Sequence, residues 1–383
     1  MSQMIVKIQR ITEIVPHPNA DRLELARLGA WETCVKKDTF QVDDLVVFIP
    51  PDAILPKLLH ECLGITQYCG ELPKNSEEAK QGKRRVRAAR LRGVKSFGTL
   101  MTLSDLCEYL DSQGKYTTRD DVVAGARTYI QGEVEGFDCA DLLGITKYVP
   151  PEKVTAGDQE TNHILFHRYT DIERFQNFPS VIEEGEPVVI TEKIHGTNAR
   201  IGLVKDNEEL VWMAGSHRTR RKQYDAQGRL SLYWEPLQQA NVREMIEDLQ
   251  HDKCAVAVIV FGEIYGPGIQ DMQYGGKCEF RVFDISVNGE YMDWDDVKYL
   301  CGIYGVETVP VLYRGGFSVH KLMEVTDGPT TVCEEVVSKF KGREGCVVKP
   351  LTERPDFDLP TSRVILKSVS ADYLARKGAT DNA

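Results

Sequence analysis

Seven hydrophobic runs follow one another in the second half of the chain, and they constrain its fold more than any other feature. The runs are rich in β-branched and aromatic residues and are bounded by turn residues, which is typical of strands. The stretch around residues 237–249 instead carries apolar residues at helical spacing. From about residue 165 onward, the pattern predicts an α+β domain with a mainly antiparallel sheet. The runs are PVVITEK, ARIGLV, LVWMAG, CAVAVIVFGEIYG, FRVFDISV, GCVVKP and RVILKS.

The first part of the chain has a different pattern. Short alternating runs such as MIVKIQRI and LVVFIP are separated by the turn segments HPNAD and PPD, at the spacing of a small β-barrel. Between the two parts lies a polar segment with proline and glycine and no periodicity, which is typical of a linker. We therefore predict an all-β module at residues 1–148, a linker at 149–164 and the α+β domain at 165–383.

The charge distribution bears on possible partners. The chain has 47 Lys and Arg against 58 Asp and Glu, a formal net charge of -11, which by itself argues against phosphate binding. Two segments nevertheless concentrate basic residues: residues 80–95 contain eight Lys or Arg, and residues 216–222 contain four beside a histidine. Each segment is either a solvated loop or part of a surface that holds a polyanion.

Targeting signals are absent from the sequence. The N-terminal residues contain no apolar stretch of the kind found in signal peptides, and no window approaches the roughly 18 consecutive apolar residues that a membrane span requires. The ten cysteines form no C-x-x-C pair, so we expect reduced thiols and no zinc site. These features predict a cytoplasmic or nuclear protein without membrane contact.

The connection TEKIHGTNAR, residues 191–200, places Lys193 between two hydrophobic strands. Lys193 is either a solvated loop residue or a nucleophile held at the end of a strand. A lysine that attacks phosphorus must be neutral, whereas a reference pKa of about 10.4 keeps it protonated at neutral pH. Cations such as Lys349, Lys367 or a bound metal would lower that pKa and would also neutralise a triphosphate. The nucleophile interpretation therefore requires other charged residues in the same groove.

Later strands supply such residues. Glu263 and Glu344 carry oxygen ligands suited to Mg²⁺ or Mn²⁺, or acceptors for a ribose hydroxyl. Phe283 is either a core residue or a platform on which a base stacks. Each of these three residues could have a purely structural role when taken alone. Charged and aromatic residues nevertheless recur on successive strands of one domain, which favours a nucleotide-binding groove.

These segments resemble the nucleotidyl motifs of the covalent nucleotidyltransferase superfamily of polynucleotide ligases and capping enzymes, and most closely the RNA ligase 2 family. The resemblance extends from about residue 185 to about residue 375. The motifs that carry it are EKIHGTN, VFGE with GPGIQ, VFDI, EGCVVKP and the strand with Lys367. Histidine two residues after the lysine favours the RNA ligase branch over DNA ligases. HPNADRL, residues 17–23, resembles the opening of tRNA-binding OB modules, which implies an N-terminal OB fold that binds RNA.

The resemblance implies a role for each matching residue. Lys193 would take AMP from ATP, while Lys349 and Lys367 would contact the α-phosphate. Glu192 and Phe283 would hold the adenine. The matching positions are Lys193, Lys349, Lys367 and Arg218 for catalysis; Glu192, His195, Gly196, Asn198, Glu263 and Phe283 for the nucleotide; and Glu344 and Glu263 for the metal. In this assignment Arg218 also contacts the ribose and the RNA 5'-phosphate, and Thr197, Gln270 and Asp284 have supporting roles.

The chain departs from the family pattern at Val369, where the family has a second lysine two residues after the position of Lys367. Either Lys367 alone serves the α-phosphate, or a basic residue from elsewhere substitutes. Ten residues follow Tyr373, so we expect no C-terminal OB domain of the kind found in DNA ligases and capping enzymes.

The implied activity is that of an ATP-dependent RNA ligase that joins 3'-OH and 5'-phosphate ends through lysyl-AMP and RNA-adenylate. Its substrates would be ATP and RNA, either a nicked duplex or a tRNA-like molecule, with Mg²⁺ or Mn²⁺ as cofactor and no protein partner implied. One alternative, an mRNA guanylyltransferase, is disfavoured by His195. The other, a non-catalytic RNA-binding or tRNA-binding protein on a ligase scaffold, is disfavoured because Lys193, Glu263 and Glu344 are all present.

Overall fold

The computed structural model describes residues 3–29, 31–114, 126, 130, 132–150, 158–272, 274–333, 336, 338–376 and 379. The chain divides into two compact units, one within Met1–Pro150 and Leu374–Asn382 and the other within Pro151–Tyr373. Residues 151–157 of the predicted linker lie outside the described residues. Within the described parts, no helix is long and apolar enough to cross a lipid bilayer.

The N-terminal unit is built mainly from short antiparallel strands. Its sheets have the orders β1-β5-β10, β2-β3-β4 and β11-β6-β7, and β8 and β9 form a separate hairpin. The strands are β1 (Ile8–Arg10), β2 (Glu13–Pro16), β3 (Leu23–Leu28), β4 (Trp31–Lys36), β5 (Leu45–Ile49), β6 (Ala53–Leu55), β7 (Arg84–Arg85), β8 (Ala89–Leu91), β9 (Val94–Ser96), β10 (Thr99–Thr102) and β11 (Thr146–Lys147).

The same unit contains helices that the sequence pattern did not predict: α1 (Lys57–Cys62), α2 (Glu77–Lys80), α3 (Leu103–Ser112) and α4 (Ala140–Leu143), with a 3₁₀ turn at Thr66–Tyr68. Helix α3 begins with a capping box, because the Thr102 hydroxyl accepts the Asp105 N–H at 3.0 Å and the Asp105 carboxylate accepts the Thr102 N–H. Its Leu106 and Leu110 are fully buried in the core of the unit.

The C-terminal unit contains two large sheets and several helices. Its strands are β12 (Gln159–Glu160), β13 (Glu173–Arg174), β14 (Pro187–Lys193), β15 (Thr197–Asp206), β16 (Glu209–Ser216), β17 (Arg220–Arg221), β18 (Ala257–Tyr265), β19 (Glu279–Val287), β20 (Glu290–Tyr291), β21 (Val311–Gly316), β22 (Gly345–Pro350) and β23 (Leu366–Val369). Its helices are α5 (Ala240–Lys253), α6 (Trp294–Ile303), α7 (Val319–Thr326) and α8 (Ala371–Leu374), with 3₁₀ turns at Phe175–Asn177, Leu232–Trp234 and Pro236–Gln238.

The seven-stranded sheet has the order β12-β17-β16-β15-β18-β19-β20, and the five-stranded sheet has the order β13-β23-β22-β14-β21. Among these pairs only β13 and β23 run parallel, so the prediction of a mainly antiparallel α+β domain is confirmed. Because side chains alternate along a strand, each sheet has two distinct faces. In the seven-stranded sheet, Ile201 and Val260 pack with α5 and α6, whereas Ile259 and Phe261 pack on the other face.

That second face meets the five-stranded sheet. Ile259 and Phe261 share a buried cluster with Ile365 and are contacted by Val347 of β22. An ion pair between Lys349 of β22 and Asp284 of β19 also joins the two sheets. Lys193, Lys349 and Lys367, which were singled out from the sequence, lie on the face of the five-stranded sheet that meets this junction.

Candidate active site

Lys193 is the last residue of β14, and its ammonium group is not solvated in the manner of a loop lysine. Its Nζ donates to Glu344 Oε1 at 2.5 Å, and the Lys193 side chain is 13% exposed while that of Glu344 is fully buried. Glu344 directly precedes β22, where Gly345 pairs with Lys193. Burial raises the pKa of the Glu344 carboxyl, but Lys193 and His195 outweigh that effect, and the net pKa is below its ordinary value. The Glu344 carboxyl is therefore ionised at neutral pH.

His195 connects several polar groups behind this ion pair. Its Nε2 lies 2.7 Å from Asp271 Oδ1, and its Nδ1 lies 3.0 Å from Tyr373 Oη and 3.5 Å from Glu344 Oε2. The His195 N–H also donates to Tyr274 Oη at 3.1 Å. Burial lowers the pKa of the imidazole, but the two carboxylates outweigh it and raise the pKa overall. His195 thus lies between Asp271 and Glu344, with the Glu344 contact at ion-pair distance.

A hydrogen bond between Gly196 and Glu263 brings the VFGE motif next to the loop that follows Lys193. The Gly196 N–H donates to Glu263 Oε1 at 3.1 Å. A Cβ at position 196 would lie 2.3 Å from the Ile264 carbonyl oxygen, so the close approach of β15 to β18 requires glycine. Burial, reinforced by the charge of Glu344 and opposed by Lys193, raises the pKa of Glu263 to about 8. Asn198 lies opposite Glu263 in the β15–β18 pairing.

Lys349 belongs to a second buried cluster centred on Asp284. The Asp284 carboxylate accepts hydrogen bonds from Lys349 Nζ, from the Tyr169 hydroxyl and, at 2.9 Å, from Arg363. Arg363 in turn binds both oxygens of Glu353, at 2.8 and 2.6 Å. Burial raises the pKa of Asp284, but Arg363 and Lys349 outweigh it, so the carboxyl has a lowered pKa and is ionised.

Strand register places the predicted lysines on one face of the five-stranded sheet. Lys193 pairs with Gly345, Val347 pairs with Lys367, and Lys349 pairs with Val189. These positions are separated by even numbers of residues along each strand, so their side chains share a face. We call this face, with Lys193, Lys349 and Lys367, the cationic face.

Glu192 lies on the opposite face of β14 from its neighbour Lys193. Its carboxylate accepts hydrogen bonds from the Thr330 hydroxyl and, at 2.7 Å each, from the N–H and hydroxyl of Thr331. Glu192 is 1% exposed. The structure therefore assigns it a defined set of protein partners in addition to the predicted contact with adenine.

Phe283 lies at a register shift between β18 and β19. It is partly buried and makes an edge contact with Tyr169, with ring centroids 4.8 Å apart. The residue contacts the buried cluster between the sheets. The structure therefore shows the packing contact of Phe283, and stacking of a base on it stays a prediction.

The basic segment 216–222 is only in part a cationic surface. Arg221 is 3% exposed and binds Asp158 at 2.8 Å, while Arg220 binds Glu160 at 2.9 Å. These two arginines hold β12 against β17, so their role is structural. The prediction that the segment forms a surface for a polyanion therefore does not apply to Arg220 and Arg221. Arg218 lies in the turn between β16 and β17, where its carbonyl accepts a bond from Asn162.

The basic segment 80–95 also contains a structural arginine. Arg85 is buried, donates to Asp52 Oδ1 at 2.8 Å and lies 4.3 Å from the centre of the Tyr148 ring. Arg87, Arg90 and Arg92 are exposed. The cationic surface in this unit is therefore narrower than the sequence segment and centres on the β8–β9 hairpin.

The HPNAD turn fixes the tip of that hairpin. His17 Nε2 lies 3.1 Å from the Leu91 carbonyl oxygen, and Asn19 Nδ2 donates to the Arg92 carbonyl at 3.0 Å. Arg90 and Lys95 are directly opposite each other in the β8–β9 register. Like charges at opposed positions destabilise a hairpin, and here the turn supplies bonds that hold it in place.

The predicted metal ligands lie close to one another but do not form a protein-only metal site. Within the described part of the chain, no group of three or more His, Cys, Asp and Glu side chains has the arrangement to hold a metal ion. Glu344 Oε2 is buried without a hydrogen-bond donor, and the charge of Glu344 contributes to the raised pKa of Glu263. Two such carboxylates fit a divalent cation whose remaining ligands come from substrate phosphates and water.

Several residues of the site were missed by sequence reasoning. Asp271 directly follows the GPGIQ segment, so its position next to that motif could have identified it as a site residue. Tyr373 and Tyr169 carry no local signal, because their partners lie 178 and 115 residues away in the chain. Arg363 and Glu353 complete the Asp284 cluster. Gln270 lies in the same loop as Asp271.

Comparison with known proteins gives the site a family. Residues 186–369 match the RNA ligase family, and residues 5–103 match an OB-fold domain. The fold is similar to that of Naegleria gruberi RNA ligase, for example a lysine-to-alanine mutant with ATP and Mn, at a TM-score of 0.68 and 21% identity over 97% of this chain and 98% of that one. A lysine-to-methionine mutant with AMP and Mn matches at a TM-score of 0.68 and 22% identity over the same shares.

These matches confirm the predicted combination of an N-terminal OB fold with a C-terminal ligase domain. Residues 186–369 are therefore a domain of the RNA ligase family, and an OB-fold domain precedes them in the same chain.

Proposed function

We propose that this protein seals RNA ends, joining a 3'-OH to a 5'-phosphate in nicked duplex RNA at the expense of ATP. The observation that carries the proposal is the buried ion pair between Lys193 and Glu344 at the edge of the cationic face. A nucleophile, a carboxylate and two further lysines then surround the position of a transferred phosphorus. The Naegleria ligase of similar fold has been solved with ATP and Mn, which agrees with ATP as substrate here.

The reaction has three steps. Neutral Lys193 Nζ forms a bond to the α-phosphorus of ATP, and the bond from that phosphorus to the bridging oxygen breaks, releasing pyrophosphate. An oxygen of the RNA 5'-phosphate then attacks the same phosphorus and displaces Lys193, giving RNA-adenylate. Finally the 3'-OH loses its proton and attacks the 5'-phosphorus, and AMP leaves. Each step develops charge on phosphoryl oxygens, and in this proposal Lys349 and Lys367 stabilise that charge.

The ion pair must open before the first step, because an ammonium group has no lone pair with which to attack. Glu344 and Glu263 are the residues that would hold a divalent cation. A cation bound there would neutralise charge on the phosphates, and its attraction for Glu344 would weaken the ion pair with Lys193. His195 and its partner Asp271 keep the Glu344 region in position while Lys193 changes partner.

In this proposal the remaining site residues bind the nucleotide or the RNA. Glu192 and Phe283 bind the adenine, with Thr330 and Thr331 fixing the Glu192 carboxylate. Glu263 binds the ribose, Arg218 binds the ribose and the RNA 5'-phosphate, and His195, Gly196 and Asn198 shape the loop beside Lys193.

The N-terminal unit contributes the RNA contact in this proposal. The β8–β9 hairpin presents Arg90 and Arg92 at the surface, and the HPNAD turn pre-organises it. Binding to the phosphate backbone through such cations is independent of base sequence and sensitive to salt. A duplex substrate suits a hairpin that presents charge and no exposed aromatic platform of its own.

A labelling experiment tests the proposal. The purified protein is incubated with α-labelled ATP or GTP and Mg²⁺ or Mn²⁺ and then denatured; we expect a covalent label from ATP only. A nicked RNA duplex is then supplied, and the label is expected to move to the RNA 5' end before sealing. A label from GTP would instead indicate a guanylyltransferase, and no covalent label from either nucleotide would indicate a binding protein.

A further inference from the structure

The turn that carries Arg218 connects β16 with β17 and is closed at both ends by hydrogen bonds. The Ser216 N–H donates to the Thr219 carbonyl at 2.9 Å, and the Thr219 N–H donates to the Ser216 hydroxyl at 3.1 Å. A Cβ at position 215 would lie 2.5 Å from the Thr219 carbonyl oxygen, so the close approach of the two strands requires glycine there. His217 and Arg218 therefore lie at the tip of a tight connection.

A buried arginine of β15 contacts this turn from the interior of the unit. Arg200 is 1% exposed, and its Nε donates to the Ser216 carbonyl at 3.1 Å. Its Nη1 donates to the Phe166 carbonyl at 2.5 Å, and its Nη2 donates to Asn162 Oδ1 at 3.1 Å. The guanidinium also lies 4.6 Å from the centre of the Phe166 ring. Arg200 therefore joins the turn to the segment at residues 162–166.

The acceptors that the described residues offer to the Arg200 guanidinium are all uncharged. Burial, with a smaller contribution from Arg168, lowers the pKa of Arg200 to about 10, and a group with that pKa is still protonated at neutral pH. A buried cation is costly unless its N–H groups are bonded, and here each of the three guanidinium nitrogens donates to an acceptor. A lysine presents its donors from one compact nitrogen and does not reproduce this planar fork. The arrangement therefore indicates that Arg200 supplies geometry.

The exposed side chain of Asn162 connects Arg200 with the far end of the turn. Its Oδ1 accepts from Arg200 Nη2 and from the Arg220 N–H, each at 3.1 Å, and its Nδ2 donates to the Arg218 carbonyl at 3.4 Å. Asn162 thus binds the backbone on both sides of Thr219. Because Asn162 is exposed, its substitution by alanine removes these bonds without opening a buried cavity.

The second residue at the tip of the turn has a partner as well. His217 Nε2 lies 3.1 Å from Asp171 Oδ1. Burial is the main cause that lowers the pKa of His217 to about 4, so its imidazole is neutral at pH 7 and can donate one N–H to this carboxylate. Contacts from Asn162, Asp171 and Arg200, which lie in different parts of the chain, therefore hold the backbone that carries Arg218.

We infer that Arg200 and Asn162 are positioning residues for Arg218 and hold it where it meets the RNA 5'-phosphate. The inference rests on the proposed function, which assigns that phosphate contact to Arg218. Neither positioning residue touches the substrate, since each acts through the turn. A displacement of about 1 Å near reacting atoms can cost about 100-fold in rate. A less ordered turn should therefore slow the transfer of AMP to RNA, because the RNA 5'-phosphate first reacts in that step.

The test separates the first two chemical steps in the full-length protein. Lysyl-AMP formation is measured at saturating ATP, so that weaker nucleotide binding does not affect the rate. The adenylated protein is then mixed with a nicked RNA duplex that carries a 5'-phosphate, and the single-turnover rate of AMP transfer is measured. The variants are Asn162→Ala, Arg200→Lys, Arg218→Ala and the two doubles that combine Arg218→Ala with each of the others. Arg354→Lys is the matched control, because Arg354 is a partly buried arginine of the same unit that binds Glu186.

We expect Asn162→Ala and Arg200→Lys to slow AMP transfer by about 10- to 100-fold, the scale for a misplaced reacting group, and to alter lysyl-AMP formation much less. Because both residues act through Arg218, each double variant should transfer AMP no more slowly than Arg218→Ala alone. Arg354→Lys should match the wild type in both steps. Thermal melts identify any variant that fails to fold; if Arg200→Lys is one, Asn162→Ala decides the question.

Three results would overturn the inference. One is AMP transfer at the wild-type rate by folded Asn162→Ala and Arg200→Lys proteins. Another is an equal loss in both steps, or a further loss in the double variants, which would show a general structural role. The third is wild-type transfer by Arg218→Ala, since the turn would then hold no residue on which this step depends. Failure of the wild-type protein to form lysyl-AMP would contradict the proposed function itself and is therefore a separate outcome.

Discussion

Lys193 Nζ and Glu344 Oε1 are 2.5 Å apart, although the two residues are separated by 151 positions in the chain. The pairing of β14 with β22 brings them together, since Lys193 ends one strand and Glu344 precedes the other. In the proposed reaction this hydrogen bond must break before Lys193 attacks ATP, because an ammonium group has no lone pair.

Removal of the nucleophile should abolish the covalent intermediate. We expect Lys193→Ala and Lys193→Arg to form no labelled protein with ATP, because neither side chain offers an amine that can attack at neutral pH. The label on the wild-type protein should be released by acid and not by alkali, as a phosphoramide is. Full labelling of Lys193→Ala would contradict the assignment. Lys339→Ala, which alters another lysine followed three residues later by glycine, is the control.

Substitution of Glu344 or Lys367 should slow sealing by at least about 100-fold, which is typical when one charged group no longer stabilises a transition state. Glu344→Gln is informative because it keeps the shape of the side chain while removing the charge that pairs with Lys193 and suits a metal. Single-turnover sealing of a nicked RNA duplex provides the measurement. Wild-type sealing by Lys367→Ala would show that this lysine does not bind the reacting phosphate.

Asp284 should contribute to stability in a pH-dependent way. Its pKa is lower in the folded protein than in the unfolded chain, so the stabilisation is fully present above the unfolded pKa of about 3.9 and is lost as the pH falls through the lower folded value. Removing one partner of a buried ion pair typically costs about 3–5 kcal/mol, so we expect Asp284→Asn to lower the free energy of unfolding on that scale at pH 7.

Urea titrations between pH 3 and pH 7 would measure this effect, with the difference between wild type and Asp284→Asn shrinking toward the acid end. Asp295→Asn is the control, since Asp295 forms an exposed ion pair with Arg314. An exposed pair contributes about 0–1 kcal/mol. A difference at pH 7 no larger than that of the control would argue against a structural role for the Asp284 cluster.

The β8–β9 hairpin should govern RNA affinity without affecting the first chemical step. We expect the combined substitution of Arg90, Arg92 and Lys95 by alanine to weaken binding to a nicked duplex and to reduce the slope of log affinity against log salt by about 0.7–0.9 for each phosphate contact removed. Formation of lysyl-AMP should be unchanged. Lys80→Ala is a control from the same basic segment, because Lys80 is exposed and already pairs with Glu77.

Asn19→Ala tests whether the HPNAD turn organises this hairpin. It removes the bond to the Arg92 carbonyl and leaves every cation in place, so a weaker affinity would come from a less ordered hairpin in the free protein. If neither Asn19→Ala nor the triple variant altered RNA binding, the N-terminal unit would contact RNA through a different surface.

The sequence alone determined the strand-rich character of both units, the order of the motifs and the identity of Lys193 as a candidate nucleophile. These properties depend on local patterns, such as the hydrophobic run PVVIT before the lysine and the glycine at position 196. The hydrophobic pattern within each strand therefore indicates that strand from the sequence. The spacing of apolar residues likewise indicates the helix at Ala240–Lys253. The family match and the fold confirmed the strand-rich units and the RNA ligase motifs, while the role of Lys193 stays a prediction.

Only the tertiary structure decided which charged residues act together. Arg85 and Arg221 belong to basic segments, yet each is buried against an aspartate that the sequence does not mark as its partner. The contact of Arg200 with Asn162 likewise joins residues that lie 38 positions apart in the chain. Strand register and burial set these contacts, and both result from the packing of segments that are distant in the chain. A local sequence pattern specifies which face of a strand a side chain occupies, but the neighbour it meets there is specified by the whole fold.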